Sequence, residues 1–156
     1  MMEAIFKREI VVNKIASCII GVITFVVLTS LGAFVRIPLP FTPVPITLQT
    51  LFVLLSGLFL GSLGVISQVI YVFLGIAGFP IFSGAGSGLF YLSGPTAIYI
   101  FGFIFATLFL GKFIKQIKVN LFSLLIILCM ADLIILSCGT FWLKIILGLP
   151  FKKLLF

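Results

Sequence analysis

Between Arg36 and Lys112 the chain carries no Asp, Glu, Lys, Arg or His. A continuous helix of that length, rising about 1.5 Å per residue, would be several bilayers long, so the stretch must fold back on itself. About three crossings and their connectors fit; a span before Arg36 and another after Lys118 bring the expectation to about five. The expected fold class is an all-α integral membrane bundle, a single transmembrane domain over residues 1–156. Composition agrees. Of 156 residues, 63% are hydrophobic and 8% charged, and a soluble chain this short could not hide so much apolar surface. Soluble enzymes, nucleic-acid binders and disordered tails are excluded. The net charge of +7 is carried at the ends of apolar segments, where cations anchor a protein to lipid headgroups. The bilayer, not a nucleic acid, is the expected partner. Cys18, Cys129 and Cys138 lie in apolar runs without metal-ligand spacing and are read as packing residues.

Residues 1–14 read as a short interfacial segment with Glu3, Lys7, Arg8 and Glu9 on a polar side, or as a frayed tail. Helix 1 is predicted over Ile15–Val35, longer than the ~7–15-residue apolar core of a signal peptide and so a retained span. Ile37–Pro45 reads I-P-L-P-F-T-P-V-P. Proline removes backbone donors and biases its neighbours to extended conformations, so this is a stiff connector, not helix. Helix 2 is predicted over Leu48–Leu60, a tight turn at Gly61-Ser62-Leu63-Gly64, and helix 3 over Val65–Gly78. Both are short for a full crossing. Phe79–Gly94 follows, with Gly84, Gly86 and Gly88 set among small residues and flanked by Phe82, Phe90 and Tyr91. The glycines permit unusual φ values and close backbone approach. The aromatic flanks favour a packed, ligand-contacting loop over a plain flexible one. Pro95 suits the first turn of helix 4, Pro95–Phe113. A basic loop (Lys112, Lys115, Lys118) leads to helix 5, Val119–Leu147, which carries Asp132 mid-span and Lys144 near its end.

With a cytoplasmic N-terminus, Lys7, Arg8, Lys14, Lys112, Lys115 and Lys118 fall inside, and Arg36, Lys144, Lys152 and Lys153 outside. That is the sense of the positive-inside rule. The Pro-rich connector and the Gly-rich loop then share the outer face, where two irregular, charge-free segments suit a small-molecule pocket. There is no histidine and no G-x-x-x-x-G-K-[ST] phosphate loop, so the chain cannot hydrolyse ATP by itself. The hydroxyls in the spans have no partner base, and the chain is not expected to be an enzyme. Asp132 reads as a neutral carboxyl hydrogen-bonded inside the bundle, or as a polar contact to ligand or helix. Lys144, Lys152 and Lys153 read as snorkelling anchors or as anion contacts.

Three blocks then resemble a known family in order and spacing. They are R-I-P-L-P-F-T-P-V-P-I-T-L-Q-T at Arg36–Thr50, Y-V-F-L-G-I-A-G-F-P-I-F-S-G at Tyr71–Gly84, and G-P-T-A-I-Y-I-F-G-F at Gly94–Phe103. G-x-x-W-L at Gly139–Leu143 adds support. The chain resembles the BioY family, biotin-binding substrate-capture subunits of energy-coupling-factor (ECF) transporters, from about Ser30 to Lys153. The resemblance implies a six-helix membrane fold that captures biotin from outside. It implies a transmembrane coupling subunit and two cytoplasmic ATPases as partners, with ATP used by those partners and no cofactor on this chain. It makes Ile37–Thr47 the segment that closes the pocket and marks Thr47, Gln49, Tyr71, Ser83, Gly84, Gly86, Gly88 and Tyr99 as substrate-binding. The family's sixth helix, beginning near P-G-D-x-x-K, is expected to be missing here. Ile23 and Val27 stand where family members carry small residues for docking on the coupling subunit.

A buried carboxylate needs a cation or several donors. Without the sixth helix, Lys144 or Arg36 is expected to serve that role, and Lys144 completes the candidate substrate-binding set. Two other readings compete: the same fold tuned to another small vitamin, and a truncated membrane remnant or assembly subunit that binds nothing.

Overall fold

A computed structural model describes residues 2–40, 42–116 and 120–147. Five α-helices run α1 Met2–Gly32, α2 Gln49–Leu60, α3 Ser62–Ile76, α4 Ala97–Phe113 and α5 Leu121–Leu147. Short 3-10 turns precede α4 at Leu89–Ser93 and follow it at Ile114–Gln116. The apolar stretches Asn13–Gly32, Ala97–Gln116 and Leu121–Ile145 are long enough to cross a membrane, whereas α2 and α3 have 12 and 15 residues. Large apolar side chains point outward all along the bundle, among them Phe59, Phe73, Phe122 and Leu133. Water would not tolerate so extended an apolar surface; lipid does. The chain is therefore a multi-pass membrane protein.

Several boundaries differ from the sequence expectation. Helix 1 is continuous from Met2 and stops at Gly32, so no break separates an interfacial segment from the span. The side chains of Lys7 and Arg8, and the whole of Lys118, Lys152 and Lys153, lie outside the described residues. The turn between α2 and α3 is Gly61 alone, at φ +59°, and α3 begins at Ser62. Pro95 stands before α4 rather than in its first turn, because Thr96 holds the cap position. Asp132 is half-buried and makes no hydrogen bond among the described residues, which removes the interior-bond reading of it.

The fold is also not purely helical. The Pro-rich connector pairs with itself as an antiparallel hairpin, β1 Arg36–Leu39 with β2 Thr42–Thr47. Arg36 lies opposite Thr47 and Ile37 opposite Ile46, with a register irregularity between Ile37 and Leu39, where Pro38 lies. Proline cannot donate to a ladder, but in a two-stranded sheet both strands are edges and its missing N–H can face away from the partner. The Leu48 N–H extends the closure by donating to the Val35 carbonyl at 3.1 Å.

The core lies where α4 passes between its neighbours, around Val53, Phe103, Ala106, Leu110, Ile127 and Ile135. Lipid tails are as apolar as leucine, so membrane helices associate through close packing and interhelical hydrogen bonds. A methyl group at Gly64 would meet the Ser56 carbonyl oxygen at 2.6 Å, and one at Gly111 the Gly61 carbonyl carbon at 2.8 Å. These contacts bring the α2–α3 junction, the end of α4 and Lys115 to one end of the bundle. The other end gathers the hairpin, the start of α2, the end of α3, the Gly-rich loop and the start of α4. The Trp142 indole N–H donates to the Gly94 carbonyl at 3.1 Å and brings the end of α5 there too.

Candidate functional site

The hairpin and the Gly-rich loop meet at that second end through a chain of polar contacts. Thr47 closes β2, and its hydroxyl donates to Gln49 Oε1 at 3.4 Å. Gln49 opens α2 and is buried; its Nε2 donates to the Tyr71 hydroxyl. Tyr71, in the last turns of α3, is fully buried, and its hydroxyl donates to the Ile81 carbonyl at 3.2 Å. Three residues on, Gly84 returns to the hairpin: a methyl there would stand 2.6 Å from a guanidinium nitrogen of Arg36. Arg36 in turn faces Thr47 across the hairpin. The contacts therefore form a ring through β1, β2, α2, α3 and the loop. The buried side chains of Gln49 and Tyr71 are paired, which is the condition for burying such groups at modest cost, whereas the Ser83 hydroxyl beside the ring is buried without a partner among the described residues.

The loop owes its shape to two aromatic rings and to glycine. Phe82 is fully buried over Gly75 of α3, where a methyl group would come within 2.1 Å of its ring. Its N–H donates to the Gly86 carbonyl at 3.0 Å, and the Gly88 N–H donates to the Gly75 carbonyl at 2.8 Å. Phe82 meets Tyr71 edge-on at 5.6 Å and stacks on Tyr91 at 4.9 Å between ring centroids. The Tyr91 hydroxyl donates to the Ser83 carbonyl at 3.0 Å. The turn between Phe82 and Gly86 places Gly84 at φ +75° and Ala85 at φ +59°. Positive φ suits glycine, and at Ala85 it carries backbone strain. The loop is thus a plug packed through Phe82 and Tyr91, whereas Phe90, the third aromatic flank, is 94% exposed and takes no part in the packing.

Of the residues marked from the sequence, Thr47, Gln49, Tyr71, Ser83 and Gly84 come together in this ring or directly on it. Gly86 lies under the Tyr91 ring, and Gly88 ties the loop to α3. Tyr99 takes no part in the ring of contacts: its own ring lies over Gly139, where a methyl group would approach within 2.0 Å, on the α4–α5 seam. Lys144 is exposed near the end of α5. Sequence reasoning did not single out Tyr91 beyond its aromatic character, nor the Ile81 carbonyl, which no side-chain pattern encodes. A second polar group was missed as well. The Gln68 amide donates to Ser56 at 3.1 Å, to Ser67 at 3.2 Å and to Thr29 at 3.5 Å, all fully buried among α1, α2 and α3. The adjacent polar pair Ser67-Gln68 inside an apolar helix was the available signal.

The chain is similar to known proteins. The family model described as the BioY family matches residues 5–156. A probable biotin transporter BioY of Lysinibacillus sphaericus is 43% identical over 95 residues, 60% of this chain and 47% of the relative. Another, of Pyrococcus horikoshii, is 42% identical over 125 residues, 80% of this chain and 72% of the relative. The chain thus spans about half the length of the first relative (47%) and more of the second. The crystal structure of the S-component for biotin from an ECF-type ABC transporter superposes with a TM-score of 0.87 at 26% identity, over 92% of this chain and 79% of that one.

Proposed function

The chain belongs to the BioY family, and from that premise we propose that it captures biotin outside the cell and presents it to an ECF-type transporter. One observation carries the reading. The hairpin and the Gly-rich loop, far apart in sequence, are stitched together at one end of the bundle by the Thr47–Gln49–Tyr71–Ile81 chain. A ligand bound at that end would touch two segments whose positions depend on each other. The surroundings suit biotin, a compact ureido bicycle with an apolar body and an acidic tail. The half-buried ring of Tyr91, backed by the buried Phe82, offers apolar contact, and backbone at glycine offers donors close to the ligand. Thr47, Gln49, Tyr71, Ser83, Gly84, Gly86, Gly88, Tyr99 and Lys144 form the proposed substrate-binding set, Tyr99 lying on the α4–α5 seam and Lys144 exposed near the end of α5.

The chain has no phosphate-binding loop. Energy for uptake therefore comes from partners: a transmembrane coupling subunit and two cytoplasmic ATPase subunits, which use the ATP. The protein sits in the cell membrane with its N-terminus in the cytoplasm. Lys14, Lys112 and Lys115 cluster at the end opposite the hairpin, which the positive-inside rule assigns to the cytosol. The test is equilibrium binding of labelled biotin to the purified protein in lipid nanodiscs, with thiamine and riboflavin as competitors. Saturable binding displaced by unlabelled biotin alone is the expected result. Displacement by another vitamin, or no binding, overturns the assignment.

A further inference from the structure

We propose that Arg36 is the residue that reads the anionic tail of the substrate, held for that task against the backbone of Gly84; this rests on the biotin reading above. Arg36 opens β1 at the start of the uncharged stretch, and its guanidinium lies on the Gly-rich loop: a methyl at Gly84 would be 2.6 Å from a terminal nitrogen and 3.6 Å from the central carbon. Only a residue without a side chain permits that approach, and φ +75° favours glycine there independently. No carboxylate pairs with Arg36 among the described residues. The one carboxylate side chain described, Asp132, lies ten residues before Trp142, about 15 Å lower along α5 than the contact of Trp142 with the loop. Arg36 is an exposed residue, and it can meet a ligand without first breaking an ion pair among the described residues.

A second observation points to the same place. Ser83 Oγ, one residue before Gly84, is buried and has no hydrogen-bond partner among the described residues. A buried hydroxyl left unpaired is costly, and a ligand oxygen that reached it through a small shift of the loop would satisfy it. The Ser83 carbonyl is already engaged by Tyr91, which fixes the residue. A planar guanidinium fork and a hydroxyl donor are the groups that recognise a carboxylate, and the fork distinguishes arginine from lysine.

Biotin and its primary amide, which is identical but for the neutral tail, separate the possibilities when titrated against the full chain in nanodiscs. Wild type is expected to prefer biotin on the order of 10- to 100-fold, the range of a charge-assisted pair. Arg36→Ala and Arg36→Gln should remove that preference by weakening biotin and sparing the amide, while Arg36→Lys keeps part of it. Gly84→Ala, which displaces the guanidinium, should also reduce it. If wild type binds biotin and both neutral variants retain the full preference, or lose both ligands equally, Arg36 is not the reader. If wild type binds neither compound, the biotin assignment itself fails and takes Arg36 with it.

Discussion

Tyr71 carries two hydrogen bonds and an aromatic contact at one position, so it separates polar from apolar contributions. Its hydroxyl accepts from Gln49 and donates to the Ile81 carbonyl, and its ring meets Phe82 edge-on. Tyr71→Phe keeps the ring and leaves the Gln49 amide and the Ile81 carbonyl without their partner. The expected loss is about 1–3 kcal/mol of stability, read by thermal unfolding in detergent, with a drop in biotin affinity as the loop loosens. Gly75 poses the complementary steric question. Its hydrogen is the space that Phe82 fills. Gly75→Ala should cost about 1–3 kcal/mol as the ring is forced aside. Phe82→Leu in the same chain should recover part of that loss, because contacting residues couple. If the two losses simply add, the plug does not sit as described. Tyr71 was legible from a motif, whereas Phe82 as the plug was not: an aromatic residue in a loop points inward or outward according to neighbours that only folding supplies.

The hairpin shows at the level of an element how local chemistry leaves alternatives open. The prolines excluded helix and required extended backbone, and both statements hold. They did not decide whether the segment runs as an open strap or pairs with itself. That depends on bringing Arg36 opposite Thr47, which α1 and α2 enforce by meeting closely at Gly32, where a methyl would lie 2.9 Å from the Gln49 nitrogen. The Gln68 cluster joins α1, α2 and α3 by hydrogen bonds, yet Gln68 Oε1 is buried and unpaired among the described residues. Interhelical hydrogen bonds in membranes contribute about 0.6 kcal/mol on average and at most about 1.7. Gln68→Leu, of similar size, removes both the bonds and the unpaired oxygen. It should change stability by less than about 2 kcal/mol in SDS unfolding titrations; a larger loss would make the cluster a principal clamp of the bundle.

For the whole molecule, the question is which end faces which compartment. The hairpin and the Gly-rich loop share one end, and Lys112 and Lys115 stand at the other. Ser87, exposed in the loop, and Lys115 are natural probes. In a background with Cys18, Cys129 and Cys138 replaced by serine, Ser87→Cys should react with a membrane-impermeant maleimide on intact cells. Lys115→Cys should react only after permeabilisation. The reverse pattern would invert the topology and remove the loop from the side on which the proposed substrate would arrive.

The amino-acid sequence by itself determined the membrane, the number of apolar helices and the near-exact span of α2, because hydropathy and charge act on each segment without reference to the others. It also marked the two irregular segments, because proline and glycine restrict or free the backbone locally. The tertiary structure decided what those segments do to each other. Arg36 meets Gly84 and Gln49 meets Tyr71 only because close helix packing brings distant positions to one end. It also turned Tyr99 onto Gly139 at the α4–α5 seam, a direction that helical pitch leaves open until a neighbouring helix offers a glycine to receive the ring.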